Sequence, residues 1–173
     1  MSAATPGQTV GPFYGYALPF DGGPDLVPKG HPDAIRLHGE VLDGSGAPVP
    51  DALLEIWQAD RDGTVPRVGG SLHRDGYTFT GWGRAGTDNA GRYSFTTVTP
   101  GAPFIAMTVF ARGLMNRLFT RVYLPGASDP FLLSVPPDRR DTLVAVKDSD
   151  GLRFDVVLQG DGETVFIAYP GHS

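Results

Sequence analysis

The chain of 173 residues is 40% hydrophobic and 19% charged, with a net charge of −5, values that suit one globular domain rather than a disordered chain. It has no cysteine, which excludes disulfides, thiol catalysis and Cys-ligated metal centres, and its acidic balance argues against nucleic acid as a partner. No apolar run approaches the roughly 20 residues of a membrane span and the first residues lack a basic, then apolar leader, so no membrane association is expected and a cytoplasmic protein is.

Residues 1–34 form a Gly/Pro-punctuated arm with little periodicity. Three aromatics stand in four positions at Phe13, Tyr14 and Tyr16, and such side chains need burial against something. They pack either on their own domain or on a partner subunit.

Residues 35–173 carry strand signals at regular spacing. Ile35, Leu37 and Val41 alternate with polar residues, and Asp43-Gly44-Ser45-Gly46 marks a turn. Ala52 to Asp60 is the next strand, then a loop from Thr64 to Tyr77, a short strand from Gly81, and a turn at Asp88 into Tyr93, Phe95 and Thr97. Phe104 to Ala111 runs without a charge between Pro103 and Arg112-Gly113, which predicts a central strand buried on both faces. Leu118 to Leu124 predicts another strand, and Asp129-Pro130 predicts one short helix, with Asp129 as its cap. Two last strands are expected over Phe154–Leu158 and Glu163–Ala168. Twenty-four glycines and sixteen prolines between short apolar runs point to an all-β fold, a β-sandwich with long loops.

The candidate chemistry is sparse. His31, His38, His73 and His172 share no strand or helix face, so they offer no visible ligand pair, and His38 is expected to face solvent. Asp60-x-Asp62-Gly63 and Asp148-x-Asp150-Gly151 resemble calcium-loop fragments but lack the closing Glu and are read as turns. Gly69-Gly70 is not a phosphate loop, since no Gly-Lys-Ser/Thr follows. Glu55 is either half-buried with a partner or at an interface, and the interface is favoured because a lone buried carboxylate is costly. Arg112, at the end of the apolar strand, either snorkels to solvent or points into a cleft, where its planar head could hold a carboxylate.

Several motifs carry a family resemblance. Leu54-Glu55-Ile56-Trp57-Gln58-Ala59-Asp60, Gly83-Arg84, and Thr87-Asp88-x-x-Gly91-x-Tyr93-x-Phe95-x-Thr97-x-x-Pro100-Gly101 resemble the core signature of the intradiol ring-cleavage dioxygenases. The arm Thr5-Pro6-x-Gln8-Thr9-x-Gly11-Pro12-Phe13, the stretch Phe110-Ala111-Arg112-Gly113, Thr120-Arg121-x-Tyr123 and the tail from Arg153 to Phe166 extend the likeness over nearly the whole chain.

The resemblance implies a β-sandwich and a ferric, non-haem reaction that opens a catechol ring with dioxygen. Iron-bearing members use two tyrosines and two histidines, ligands suited to ferric iron. Their H-x-H pair falls here on Phe104 and Ala106, or on Ile105 and Met107 one residue along. Their tyrosine positions fall on Thr64-Val65 and on Ala102-Pro103-Phe104. The resemblance therefore implies that this chain has no catalytic residue and no metal ligand of its own. Ferric iron would be bound by a homologous beta subunit in a hetero-oligomer. The chain would line the substrate pocket with Thr9, Gly11, Pro12, Phe13 and Arg112, the last near the carboxylate of protocatechuate. Relatives carry Tyr at the place of Phe13, so that hydroxyl is either lost or supplied by Tyr14. Two rival readings are a stand-alone module that binds a small aromatic carboxylate without chemistry, and an independent metalloenzyme with a scattered His site.

Overall fold

The computed structural model describes residues 9, 11, 13–68 and 74–169, and the structural statements below concern those residues. Two stacked β-sheets form a sandwich, as the spacing of the strand signals predicts. The first sheet is built on β1 (Ala34–Leu42), paired antiparallel with β4 (Arg92–Val98) and parallel with the short β8 (Leu152–Arg153) and β9 (Val156–Val157); β7 (Val146–Lys147) closes its edge on β8. The second sheet has the order β3 (Trp82–Gly86), β2 (Leu53–Trp57), β5 (Phe104–Phe110) and β6 (Leu118–Tyr123), all antiparallel.

The period-2 pattern of each strand decides which side chains meet between the sheets. Leu37 and Val41 of β1 and Tyr93 and Phe95 of β4 face Leu54 and Ile56 of β2, Ile105, Met107 and Val109 of β5, and Val122 of β6, in one buried cluster. Gln58 ties the layers together at the end of β2. Its Nε2 donates to the Val98 carbonyl at 2.9 Å, and its Oε1 accepts from the Thr97 hydroxyl at 2.8 Å. Buried polar atoms need such partners. Gly39 of β1 lies against the Phe154 carbonyl, whose oxygen would be only 1.9 Å from an added Cβ. The same oxygen accepts from the Tyr93 hydroxyl at 2.5 Å.

The helix predicted after Asp129 is α2 (Pro130–Ser134; the earlier helix is α1, Tyr14–Ala17), and the Asp129 carboxylate accepts from the Leu132 amide at 2.8 Å. A 3-10 helix over Pro137–Leu143 follows it. Its Leu143 packs with Tyr123 and with Leu132 and Val135 at α2 in a second, smaller cluster. No helix among the described residues is long and apolar enough to cross a membrane.

Three expectations need correction. The strand predicted over 163–168 forms no ladder. Thr164 and Ile167 donate to the Val157 and Phe119 carbonyls, while Val165 is held by the Thr142 and Thr120 hydroxyls. Side-chain hydroxyls thus take the places of strand partners. Central strand β5 is fully buried on one face only: Ile105, Met107 and Val109 are buried, whereas Phe104, Ala106, Thr108 and Phe110 are half-covered. An uncharged run does not distinguish two covered faces from one. The third correction is that this fold has more than one short helix.

Candidate functional site

The outer face of the second sheet is fixed by register. Trp82, Trp57, Ala106 and Arg121 stand in one row across β3, β2, β5 and β6, with Arg84, Glu55, Thr108 and Phe119 in the next. Glu55 is not left for an interface, as the sequence reading favoured. Its Oε1 accepts from Arg84 Nε at 2.9 Å and from Nη2 at 2.5 Å, a cross-strand pair that compensates a half-buried carboxylate. Arg84 also donates to the Leu18 carbonyl at 2.8 Å, and the Phe20 ring stacks on Trp82 at 5.9 Å. The arm from Tyr14 to Phe20 is therefore packed on its own domain. Phe13 and Tyr16 point outward, 79% and 85% exposed.

The structure brings Tyr14 and Arg112 together. α1 seats the Tyr14 ring so that its hydroxyl donates to the Asp51 carbonyl, close enough to Arg112 to feel its charge. Burial, then the Asp51 charge, push this phenol above its usual value, against the opposing effect of Arg112. The Tyr14 hydroxyl is thus engaged within the fold. Arg112 Nη2 lies 3.8 Å from Asp51 Oδ2, with both side chains about half exposed. Phe13 and Thr9 are exposed, and Gly11 adopts φ +72°. Pro12 lies outside the described residues. Asp51 carried no signal in the sequence: it follows Pro50 and reads as one more turn residue.

The family's metal can be tested against the side chains on this face. Phe104 and Ala106 occupy the half-covered side of β5 and offer no donor atom. Across from Ala106, the Arg121 guanidinium carbon lies 4.2 Å from the Phe104 ring centroid and 4.6 Å from that of Phe131. Arg121 Nη1 is bonded to Asp129 Oδ2 at 2.9 Å. Phenyl, methyl and guanidinium groups do not coordinate ferric iron, so these residues do not fit the metal. Among the described residues no three His, Cys, Asp or Glu are grouped to hold an ion. His31 Nδ1 takes the Asp33 amide at 3.2 Å. His38 faces outward but is not simply solvated: its Nε2 lies 3.3 Å from Asp148 Oδ1. His73 and His172, like Gly69-Gly70, lie outside the described residues. The two calcium-loop fragments are turns, with Asp60 and Asp148 each accepting two backbone amides.

Residues 9–109 match the family described as Dioxygenase. The chain is 40% identical over 191 residues to the protocatechuate 3,4-dioxygenase alpha chain of Burkholderia cepacia, covering 94% of this chain and 96% of the relative. The beta chain from the same organism is 34% identical over 167 residues, covering 81% of this chain and 71% of that relative. Among solved structures, the dioxygenase domain of a dioxygenase carbohydrate-binding protein fusion from Streptomyces sp. SirexAA-E superposes with a TM-score of 0.56. It covers 91% of this chain and 99% of that one at 24% identity, a likeness that concerns the fold alone.

Proposed function

The chain belongs to the intradiol dioxygenase family, and from that premise we propose that it is the alpha subunit of a protocatechuate 3,4-dioxygenase. The observation that carries this reading is the identity to an alpha chain along almost the full length of both proteins. The assembled enzyme adds dioxygen to protocatechuate and opens the ring between its hydroxyl-bearing carbons to give 3-carboxy-cis,cis-muconate. Ferric iron belongs to a homologous beta subunit, in keeping with the apolar and cationic side chains at Phe104, Ala106 and Arg121. We place the assembled protein in the cytoplasm.

The contribution of this chain is to bind and orient. Arg112 supplies positive charge for the substrate carboxylate, and a guanidinium can meet a carboxylate with two parallel hydrogen bonds. From the arm, Thr9, Gly11 and Phe13 are assigned to the pocket mouth. The outward rings of Phe13 and Tyr16 and the half-exposed Trp57 supply the apolar surface that a subunit contact would cover.

Purification of the chain alone and together with an iron-bearing beta chain tests the proposal. Iron and ring cleavage are expected in the complex and not in the lone chain. Stoichiometric iron or turnover in the lone chain would overturn it, and failure to co-purify would favour a stand-alone binding module. In the complex, Arg112→Glu should raise the KM for protocatechuate; an unchanged KM removes Arg112 from the pocket.

A further inference from the structure

The pocket role of Arg112 leaves open what aims its guanidinium, and this inference rests on that role. Asp51 is the charged group at hand. The separation of 3.8 Å from Arg112 Nη2 to Asp51 Oδ2 is an ion-pair contact, too long for a hydrogen bond. The carboxylate therefore biases the direction of the guanidinium without engaging its N–H donors. A pair this exposed adds little to stability, so its effect is on direction.

Asp51 is itself held from several sides. Among the described residues it is the non-glycine residue with positive φ, at 65°, a left-handed conformation that Asp and Asn tolerate better than most side chains. The next residue is clasped by Thr87: the Ala52 amide donates to the Thr87 hydroxyl at 2.9 Å, and the Thr87 amide donates to the Ala52 carbonyl at 2.9 Å. The Thr87 hydroxyl in turn donates to the Val49 carbonyl at 2.9 Å. From the other side the Tyr14 hydroxyl donates to the Asp51 carbonyl. A Cβ added at Gly15 of α1 would lie 3.8 Å from the Asp51 Cβ, so the arm passes in contact with it. One residue thus meets the arm through its backbone and Arg112 through its side chain.

We propose that Asp51 is a positioning residue for substrate recognition: its carboxylate aims the Arg112 guanidinium while its carbonyl anchors the arm, so that arm and charge reach the pocket in one fixed relation. The left-handed backbone is what lets a single residue present both groups, because it turns the chain sharply just before β2 begins.

The test uses the assembled alpha–beta enzyme, with KM and kcat for protocatechuate and the inhibition constant for catechol, which lacks the carboxylate. Asp51→Asn keeps a side chain suited to the left-handed backbone and removes the charge. Asp51→Gly removes the carboxylate with no backbone strain and guards against an effect specific to Asn. Arg112→Ala should raise the KM for protocatechuate by about tenfold or more, the scale of a charge-assisted hydrogen bond, and leave the catechol constant in place. Both Asp51 variants should raise the same KM by about threefold, the scale of an exposed ion pair, with kcat and the catechol constant unchanged. In the Arg112→Ala background they should add nothing. Asp51 variants without effect, beside a responsive Arg112→Ala, would overturn the positioning role and leave the Arg112 reading standing. Equal effects with and without Arg112 would overturn it as well, since Asp51 would then act by another route. A KM unmoved by Arg112→Ala would sink the pocket role of Arg112 and this inference with it.

Discussion

The guanidinium carbon of Arg121 lies over the ring of Phe104, 4.2 Å from its centroid, and the group is held there by the Asp129 carboxylate. Asp129 binds three groups at once: Arg121, the Tyr123 hydroxyl at 2.8 Å and the Leu132 amide at 2.8 Å. A cation in contact with two rings and a carboxylate thus joins the outer face of the second sheet to α2.

Arg121→Leu retains bulk on this face and removes the charge. It forfeits two cation–π contacts and two hydrogen bonds from Nη1, to Asp129 Oδ2 and the Tyr123 hydroxyl, which together are worth about 1–3 kcal/mol in a partly buried setting. A thermal melt of the variant should show a midpoint lower by several degrees. An unchanged midpoint would mean that the Arg121 contacts are replaced at no cost by water and neighbouring side chains.

Asp129 should make stability depend on pH. Burial pushes its carboxyl up, but the Leu132 amide, the Tyr123 hydroxyl and the Arg121 charge outweigh it and hold the value below the usual range. A carboxyl depressed in the folded state contributes stability that is present above its unfolded value, about 3.9, and lost as pH falls through the folded one. Asp129→Asn keeps a capping oxygen but loses the charged acceptor of Arg121, and should therefore cost about 1 kcal/mol near neutrality, the scale of a weakened charge-assisted hydrogen bond. The difference between the two proteins should shrink below about pH 4. Parallel melting curves at every pH would contradict this account.

Tyr14→Phe should loosen the arm without unfolding the sandwich. The change leaves the Asp51 carbonyl without its donor, at a cost of about 1 kcal/mol. Hydrogen exchange in residues 14–18 should accelerate while β2 and β5 keep their protection. Because burial and then the Asp51 charge raise this phenol, the anchoring it provides is complete below the unfolded value of about 10 and fades as pH rises through the higher folded value. Faster exchange across the whole sandwich would show instead that Tyr14 supports the core.

Gly39→Ala should be severe. Its new Cβ would collide with the Phe154 carbonyl, 1.9 Å away, and that carbonyl also receives the Tyr93 hydroxyl. Separating β1 from the 154–156 segment should cost about 3 kcal/mol, the upper end for overpacking. Denaturant unfolding provides the measurement, and a loss below about 0.5 kcal/mol, typical of neutral surface sites, would refute the close approach.

Much of this protein is written in local pattern. The alternation of β1 and β4, the apolar run of β5 and the Asp129-Pro130 cap depend on residues close in the chain, and each element formed where its pattern pointed. The absence of donor atoms at Phe104 and Ala106 is likewise a matter of residue type, legible in any register. What the sequence could not carry is pairing between distant segments. That Glu55 has Arg84 as its partner depends on the register of β2 against β3. That His38 meets Asp148, or that 163–168 takes hydroxyls in place of a ladder, depends on how the C-terminal segments lie beside β1 and β6. Arg121 and Asp51 are the clearest cases: Arg121 meets β5 and the stretch 129–131 across one sheet face, and Asp51 meets the arm, the neighbourhood of Thr87 and Arg112, stretches distant in sequence that only the tertiary fold brings together.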